Sequence, residues 1–199
     1  MLTRTHIGVS LDGFVAGADG CPTWDALPTF QPVTHAYGEV VAQCEAVVAG
    51  RTSFDQSYED WKKDWPWPGK RVYVLTSHPL PNGVRTGVVG CTGGAVALVS
   101  KLRAAGLKRD VLVLGGPRAV RALMDLGGLD RLGLVVLPIL LRTGIPLFPI
   151  EPTNFSRHAW VSSLADEAKA LPKVERHALR LERHRPFPDG ALELVYALT

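Results

Sequence analysis

Residues 44–54 read CEAVVAGRTSF, in which an apolar, β-prone run ends at Gly50 and passes directly into a helix-like segment. Residues 110–118, DVLVLGGPR, repeat this arrangement with Gly115 and Gly116. Because glycine has no Cβ, the backbone at such a junction can approach a ligand closely. The helix that follows presents unpaired N–H groups, and about half a positive charge, at the same place. Two such junctions, each followed by an arginine, predict a site for a ligand with several phosphates, such as a dinucleotide.

A plainer interpretation of each junction stays open. Thr52 serves equally well as a cap for its helix, and the glycines as simple helix-entry turns. Against this, Arg51 carries a planar guanidinium suited to phosphate, and Thr52 and Ser77 carry hydroxyl donors. The pair Thr76-Ser77 ends a further predicted strand and adds a third place where polar groups follow a strand. The set taken together favours a phosphate-bearing cofactor.

The composition indicates a globular chain of ordinary size. Its 199 residues are 46% hydrophobic and 21% charged, a balance unlike that of disordered chains. The net charge of +3, from 22 Lys and Arg against 19 Asp and Glu, is too small and too scattered to indicate nucleic acid. Arginines concentrate near the end of the chain, where a solvated strand face is expected: Arg176, Arg180, Arg183 and Arg185. We predict one domain over residues 1–199.

Cysteine and histidine usage indicates no metal site. Cys21, Cys44 and Cys91 are widely spaced, so neither a disulfide framework nor a zinc site is expected. No pair among the six histidines has metal-ligand spacing, and each is expected at the surface. No signal peptide is visible, and no apolar run approaches the ~18 residues needed to cross a bilayer. We therefore expect a soluble, cytoplasmic protein without a metal.

Strands alternate with helices along most of the chain. The predicted strands cover residues 5–11, 45–49, 70–75, 88–89, 110–114 and 132–141. The predicted helices cover 33–44, 52–58 and 94–105, and a fourth runs from Pro117 to the glycines at 127–128. Residues 61–70, with their tryptophans and prolines, are predicted as a loop packed on the core, with stacking on a ligand as the alternative. The chain ends in a predicted hairpin, 177–183 and 191–198. This order indicates an α/β fold with a mixed sheet.

Four stretches carry a resemblance to a known family. They read SLDGFVAG (10–17), GRTSF (50–54), GGP (115–117) and PILLRTGIPLF (138–148). In this order and spacing the chain resembles the dihydrofolate reductase superfamily, and within it the branch related to the riboflavin-biosynthesis reductase domain. The resemblance implies a three-layer fold, with a central, mostly parallel sheet between helices and a C-terminal antiparallel hairpin. The Rossmann GxGxxG, the P-loop, the nucleophile elbow and HExxH are all absent from the sequence.

The resemblance also implies that NADPH lies across the carboxyl ends of the central strands. The junction at Gly50 would hold its phosphates, and Thr76 and Ser77, with Arg51, would meet the adenosine ribose and its 2′-phosphate. The glycines of the second junction would lie against the pyrophosphate and the nicotinamide, which the first loop would border. The implied cofactor-binding residues are Ala16, Gly17, Gly50, Arg51, Thr52, Thr76, Ser77, Gly115, Gly116, Pro117 and Arg118.

On the substrate side the resemblance implies roles for Asp12, as the candidate catalytic residue, and for Trp24. Asp12 with Gly13 forms a plain turn equally well. The riboflavin-type branch commonly has a Pro-x-Leu-Leu-Gly-x-Gly stretch, and Arg142 stands here in place of its first glycine. Arg142 is either a substrate anchor, for example for a phosphate, or a surface residue. Folate reductases carry a proton-donating acid shortly after the tryptophan of the first loop, where this chain has Thr29. Dihydrofolate is therefore a poor candidate substrate.

We predict an NADPH-dependent reductase that passes a hydride to a small heterocycle or another polarised C=N or C=O group. A ribosylamino-pyrimidine, as in riboflavin synthesis, is the leading substrate by resemblance. A non-catalytic NADPH-binding or sensor protein on the same fold is the alternative. The resemblance further implies a homodimer, and nothing in the sequence indicates a nucleic-acid or membrane partner.

Overall fold

A computed structural model describes residues 1–26, 35–148 and 178–199. Its strands are β1 (Thr3–Thr5), β2 (Ile7–Ser10), β3 (Phe14–Ala16), β4 (Cys44–Gly50), β5 (Arg71–Leu75), β6 (Val88–Cys91), β7 (Asp110–Gly115), β8 (Arg131–Leu137), β9 (Ile145–Pro146), β10 (Leu179–Pro186) and β11 (Leu192–Leu198). Its helices are α1 (Tyr37–Gln43), α2 (Arg51–Lys63), α3 (Gly94–Ala104) and α4 (Pro117–Asp125), with a short 3₁₀ helix at Thr23–Ala26.

One nine-stranded sheet organises the described residues, in the order β10-β11-β8-β1-β7-β4-β5-β6, with β2 also paired to β8. The pairs from β8 through β6 are parallel, whereas β11 runs antiparallel to both β8 and β10. The predicted mixed, mostly parallel sheet with a terminal antiparallel hairpin is therefore confirmed.

Helices cover both faces of this sheet. Side chains of β4 alternate between the two faces: Ala46 and Val48 pack with one buried cluster, and Val47 and Ala49 with the other. Helices α3 and α4 contribute to the first cluster, and α1 and α2 to the second. Because each face of the sheet has its own apolar layer, the central strands read as continuous apolar runs. The arrangement has the three layers that the resemblance implied.

Helix α2 is longer than predicted and ends at Lys63 rather than near residue 58, so Trp61 is helical and does not lie in a loop. No glycine or proline interrupts residues 51–63, and Phe54, Tyr58 and Trp61 recur on one helical face. The Phe54 and Tyr58 rings stack with centroids 4.5 Å apart. Trp67, which follows the helix, is 1% exposed within the same cluster, so its predicted packing on the core is confirmed.

Other boundaries also differ from the prediction. The first strand begins earlier and is split at His6 into β1 and β2, and β8 ends at Leu137 because Pro138 cannot continue a strand ladder. The first helix covers Tyr37–Gln43, while residues 33 and 34 lie outside the described part of the chain. The sequence did not predict β3 and β9, which pair as a small antiparallel ribbon.

Two histidines are buried, contrary to the expectation of surface positions. His35 is 2% exposed, and His6, at 9%, places Nε2 2.8 Å from the His35 carbonyl oxygen. Desolvation is the largest influence on His6 and lowers its pKa. Both rings lie beside groups from the distant C-terminal hairpin, Glu193 and Asp189. Sequence spacing gives no sign of these contacts.

The arginine-rich end of the chain is only in part a solvated strand face. The side chains of β10 are largely exposed, yet Arg183 and Arg185 pair with the fully buried carboxylate of Glu193, at 2.9 and 3.2 Å. Arg185 also reaches Glu39 on α1. Arg176 lies outside the described residues.

Candidate functional site

The parallel strands bring their carboxyl ends to one edge of the sheet. Strands β2, β4, β5 and β7 end there at Ser10, Gly50, Leu75 and Gly115. The strand register pairs Gly50 with Leu75, and Ala49 with Gly115. The junctions that sequence analysis took from separate stretches are therefore neighbours along this edge, where α/β sheets place ligands.

The two glycine junctions touch each other. A Cβ on Gly50 would lie 3.2 Å from the backbone nitrogen of Gly116 and 3.5 Å from the Cβ of Ala119. A Cβ on Gly116 would lie 3.1 Å from Oγ of Ser53. Any side chain at either position would crowd this contact, so backbone rather than side chains forms the surface between the two junctions. The peptide bond between Gly115 and Gly116 is cis.

Helices α2 and α4 both begin at this edge without a side-chain cap. Their N-cap residues are Gly50 and Gly116, which adopt extended backbone. Thr52 lies inside α2 and does not cap it, so the alternative interpretation of Thr52 as a helix cap is wrong. Pro117 occupies the first turn of α4, and Arg118 after it is exposed. In α4, Pro117 has no N–H and the Ala119 N–H donates to the Gly116 carbonyl at 2.9 Å, so Arg118 carries the first-turn N–H that remains for an acceptor on a ligand. In α2 the first-turn N–H groups face no side-chain cap.

Arg51 is held across the gap between α2 and the segment after β5. Its Nε donates to both carboxylate oxygens of Asp55, at 2.8 and 2.7 Å. Its Nη1 donates to Oγ1 of Thr76 at 3.1 Å and to the carbonyl oxygens of His78 and Pro79 at 3.4 and 3.2 Å. The guanidinium is thus fixed at the carboxyl edge.

Thr76 and Ser77 differ in availability. The Thr76 side chain is buried, and its hydroxyl donates to the carbonyl of His78 at 2.7 Å while accepting from Arg51 and from the His78 backbone N–H. Ser77 is exposed at the end of the strand. Thr76 therefore shapes the turn and positions Arg51, whereas the Ser77 hydroxyl is accessible to a ligand.

Asp12 organises the loop that carries Arg142. Its Oδ1 accepts from the Ser10 hydroxyl at 2.6 Å and from the backbone N–H of Leu141 at 3.2 Å. Its Oδ2 accepts from the backbone N–H of Arg142 at 2.7 Å. The Ser10 bond, followed by these backbone bonds, lowers the pKa of Asp12. The carboxylate is thereby held ionised, and the exposed Arg142 is held with φ of 63°.

The first loop is fastened to the same segment. Ala16, which is buried, pairs with Ile145 in the ribbon of β3 and β9, and a Cβ on Gly144 would collide with the carbonyl oxygen of Ala16. Gly17 donates its N–H to the carbonyl of Cys21 at 2.8 Å. Trp24 lies in the short 3₁₀ helix, but its side chain is outside what the structure describes, as is Thr29 altogether.

Sequence reasoning missed three residues at this edge: Ser10, Ser53 and Asp55. Asp55 stands four residues after Arg51 on a helix, a spacing that predicts an ion pair. Ser10 bonds to Asp12 and to the backbone N–H of Phe14, in a local turn that the sequence pattern did not single out. Ser53 lies beside Gly116, a neighbour that only the tertiary structure brings close.

No group of His, Cys, Asp and Glu suited to a metal occurs in the described ranges, and none of the described helices is long and apolar enough to span a membrane. A depression of about 160 Å³ lies near the opposite, amino end of β1, between α3 and the segment after α4. Met1, Leu102 and Gly128 are among its lining residues, and none of the predicted site residues lines it.

Comparison with known proteins identifies the family of this chain. Residues 4–157 match the RibD C-terminal domain. The chain is a member of the RibD C-terminal domain family. Among its relatives is YwjB of Bacillus subtilis strain 168, an uncharacterised protein that is 29% identical over 153 residues, 76% of this chain and 84% of that protein.

Two solved structures share the fold. One is a Shewanella sp. PV-4 protein assigned provisionally to riboflavin biosynthesis, with a TM-score of 0.76, 21% identity and coverage of 100% of this chain and 99% of that one. The other is the Thermotoga maritima diaminohydroxyphosphoribosylaminopyrimidine deaminase/5-amino-6-(5-phosphoribosylamino)uracil reductase, with a TM-score of 0.67 and 13% identity. The structural match covers 100% of the present chain and 56% of the Thermotoga maritima protein. Membership of the RibD C-terminal domain family supports a role like that of a pyrimidine reductase.

Proposed function

We propose that this RibD C-terminal domain protein is an NADPH-dependent reductase acting on a small heterocycle or another polarised C=N or C=O group. The observation that supports the proposal best is the contact between Gly50 and Gly116, which sets two uncapped helix N-termini side by side. Together they form a backbone surface with partial positive charge, of a kind suited to a pyrophosphate.

The residues at this edge fit a dinucleotide. The absence of a Cβ at Gly50 and Gly116 lets the two junctions pack directly against each other, so that a phosphate would meet backbone there. Arg51 and Ser77 offer donors at the end of β5, where the resemblance puts the adenosine ribose and its 2′-phosphate. Ala16 and Gly17, both small residues, would border the nicotinamide ring from the first loop.

When bound, NADPH would supply a hydride; the protein would supply orientation and electrostatics. The first-turn N–H groups of α2, with the Arg118 N–H at the start of α4, would bind the phosphates. Asp12 would keep Arg142 at the open end of the edge, where a guanidinium suits an anionic group on the substrate. Because its pKa is lowered, Asp12 would act as an ionised positioning group and not as a proton donor near neutral pH.

Titration with NADPH and with NADH, followed by quenching of the five tryptophans, tests this proposal. We expect NADPH to bind well below millimolar concentration. Gly50→Val should weaken that binding by at least about tenfold, because the added side chain would meet Gly116. Gly38→Val is the matched control, since a Cβ at Gly38 has no neighbour within 4 Å. If neither NADPH nor NADH binds below millimolar concentration, the proposed function is refuted.

A non-catalytic NADPH-binding or sensor protein is the second candidate, and the ionised Asp12 favours it because that carboxylate offers no proton. NADPH oxidation in the presence of pyrimidine, pteridine and quinone substrates separates the two. Turnover with a ribosylamino-pyrimidine would identify the riboflavin-type reductase. Tight NADPH binding without turnover on any substrate would identify the sensor.

We also propose a homodimer that works in the cytoplasm on a small-molecule substrate, on the ground of the resemblance alone. Light scattering coupled to size-exclusion chromatography measures the assembly directly. A mass near twice the 21.5 kDa of one chain would support the dimer, and a mass near 21.5 kDa would exclude it.

A further inference from the structure

The guanidinium of Arg51 is already engaged by the protein along two of its three nitrogens. Nε donates to both oxygens of Asp55, and Nη1 faces three neutral acceptors: the Thr76 hydroxyl and the carbonyls of His78 and Pro79. The hydrogen bonds that Arg51 makes to described residues come from Nε and Nη1, and none of them comes from Nη2. Bidentate recognition of a phosphate uses two parallel N–H bonds from neighbouring nitrogens. Arg51 can offer that pair only by sharing Nη1 or by giving up Asp55.

If Arg51 meets the 2′-phosphate of NADPH, as the resemblance implies, Asp55 is a negative charge directly beside that phosphate. Its side chain is 47% exposed and that of Arg51 29%, so the pair lies at the surface and interacts through partly screened charges. A phosphate drawn to Arg51 would meet this carboxylate at short range, and like charges oppose each other there. NADH, which lacks the 2′-phosphate, would meet no such opposition.

Groups other than Asp55 also hold Arg51 in place. Nη1 is held from the other side by Thr76 and by the carbonyls of His78 and Pro79. An asparagine at position 55 keeps an oxygen that accepts from Nε and removes only the charge. Neutralising Asp55 therefore leaves the guanidinium in place and frees it to bind an anion.

We propose that Asp55 sets the cofactor preference of this chain, by pairing with Arg51 and so weakening discrimination in favour of NADPH over NADH. The inference rests on the proposed function, because it concerns the same nucleotide site. It concerns Asp55, which acts on the nucleotide only through Arg51.

The test compares dissociation constants for NADPH and NADH in wild type, Asp55→Asn and Asp60→Asn, by tryptophan quenching at low and high salt. Asp60 is on the same helix and pairs with Lys63, so its substitution makes the same change in net charge away from Arg51. We expect Asp55→Asn to tighten NADPH binding about three- to fivefold at low salt with NADH unchanged, and the gain to shrink at high salt. Asp60→Asn should change neither constant.

Two results would overturn the inference while the proposed function stands. One is an equal change for both nucleotides in Asp55→Asn. The other is weaker NADPH binding in that variant, which would make Asp55 a support for Arg51 instead of a competitor for it. Failure of wild type and variants alike to bind either nucleotide would instead refute the nucleotide site itself. Thermal unfolding of each variant confirms that the comparison is made on folded protein.

Discussion

Nε2 of His35 lies 2.7 Å from Oδ2 of Asp189, so the buried residue ahead of α1 is tied to the turn between β10 and β11. Phe187 from the same turn packs edge-on against the His35 ring, with centroids 4.7 Å apart. A Cβ on Gly190 in this turn would lie 3.6 Å from Pro138, at the start of the segment that carries Arg142. The hairpin turn is therefore anchored beside one end of the candidate site.

Replacing His35 tests this anchor. His35→Ala removes a buried ring and leaves Oδ2 of Asp189 without its His35 partner, although Oδ1 still accepts from the Ala191 N–H. The free energy of unfolding should therefore fall by about 2–4 kcal/mol. Urea denaturation measures the loss. His184→Ala is the control, because His184 is exposed on β10 and its removal should cost less than about 0.5 kcal/mol. Equal losses in the two variants would show that the anchor contributes nothing specific.

His6 should make the stability of the protein depend on pH. Burial lowers the folded-state pKa of His6 below 6.5, while hydrogen bonding to the His35 carbonyl and the charge of Glu193 act in the opposite sense, and Arg4 and Arg183 lower it further. The unfolded chain therefore takes up the proton first as the pH falls. Stability should decline below about pH 6.5, at up to about 1.4 kcal/mol per pH unit, until the folded-state pKa is passed.

His6→Gln is the informative variant, because the glutamine amide can still donate to the His35 carbonyl but does not titrate. Unfolding free energies at pH 7.5 and pH 5.5 should differ less in this variant than in wild type. The same slope in both proteins would assign the pH dependence to other groups.

Ser77→Ala tests the accessible hydroxyl at the end of β5. If Ser77 donates to a 2′-phosphate, the substitution should weaken NADPH binding about tenfold and leave NADH binding unchanged, since a hydrogen bond to a charged group contributes about 1.5–3 kcal/mol. Ser100→Ala, at an exposed position on α3, is the matched control. An equal loss for both nucleotides would reject a role specific to the phosphate.

The elements that followed from sequence are those built on apolar runs and on glycine. The run at 44–50 and its counterpart at 110–115 gave β4 and β7 because buried parallel strands need apolar side chains on both faces. The predicted end of α2 near residue 58 is wrong, because the prolines begin only at Pro66 and Trp61 still belongs to the helix. Helical periodicity at Phe54, Tyr58 and Trp61 was the better guide.

The sequence by itself determined the order of strands and helices, the two glycine junctions and the family resemblance, since these depend on neighbours along the chain. Only the tertiary structure decided that Gly50 meets Gly116, that Asp55 and Thr76 engage Arg51 together, and that His6 and His35 are buried. Contacts between residues far apart in the chain depend on strand register and helix packing, and local propensity does not encode these. The same reasoning separates Thr76, whose hydroxyl is used within the fold, from Ser77, whose hydroxyl remains exposed.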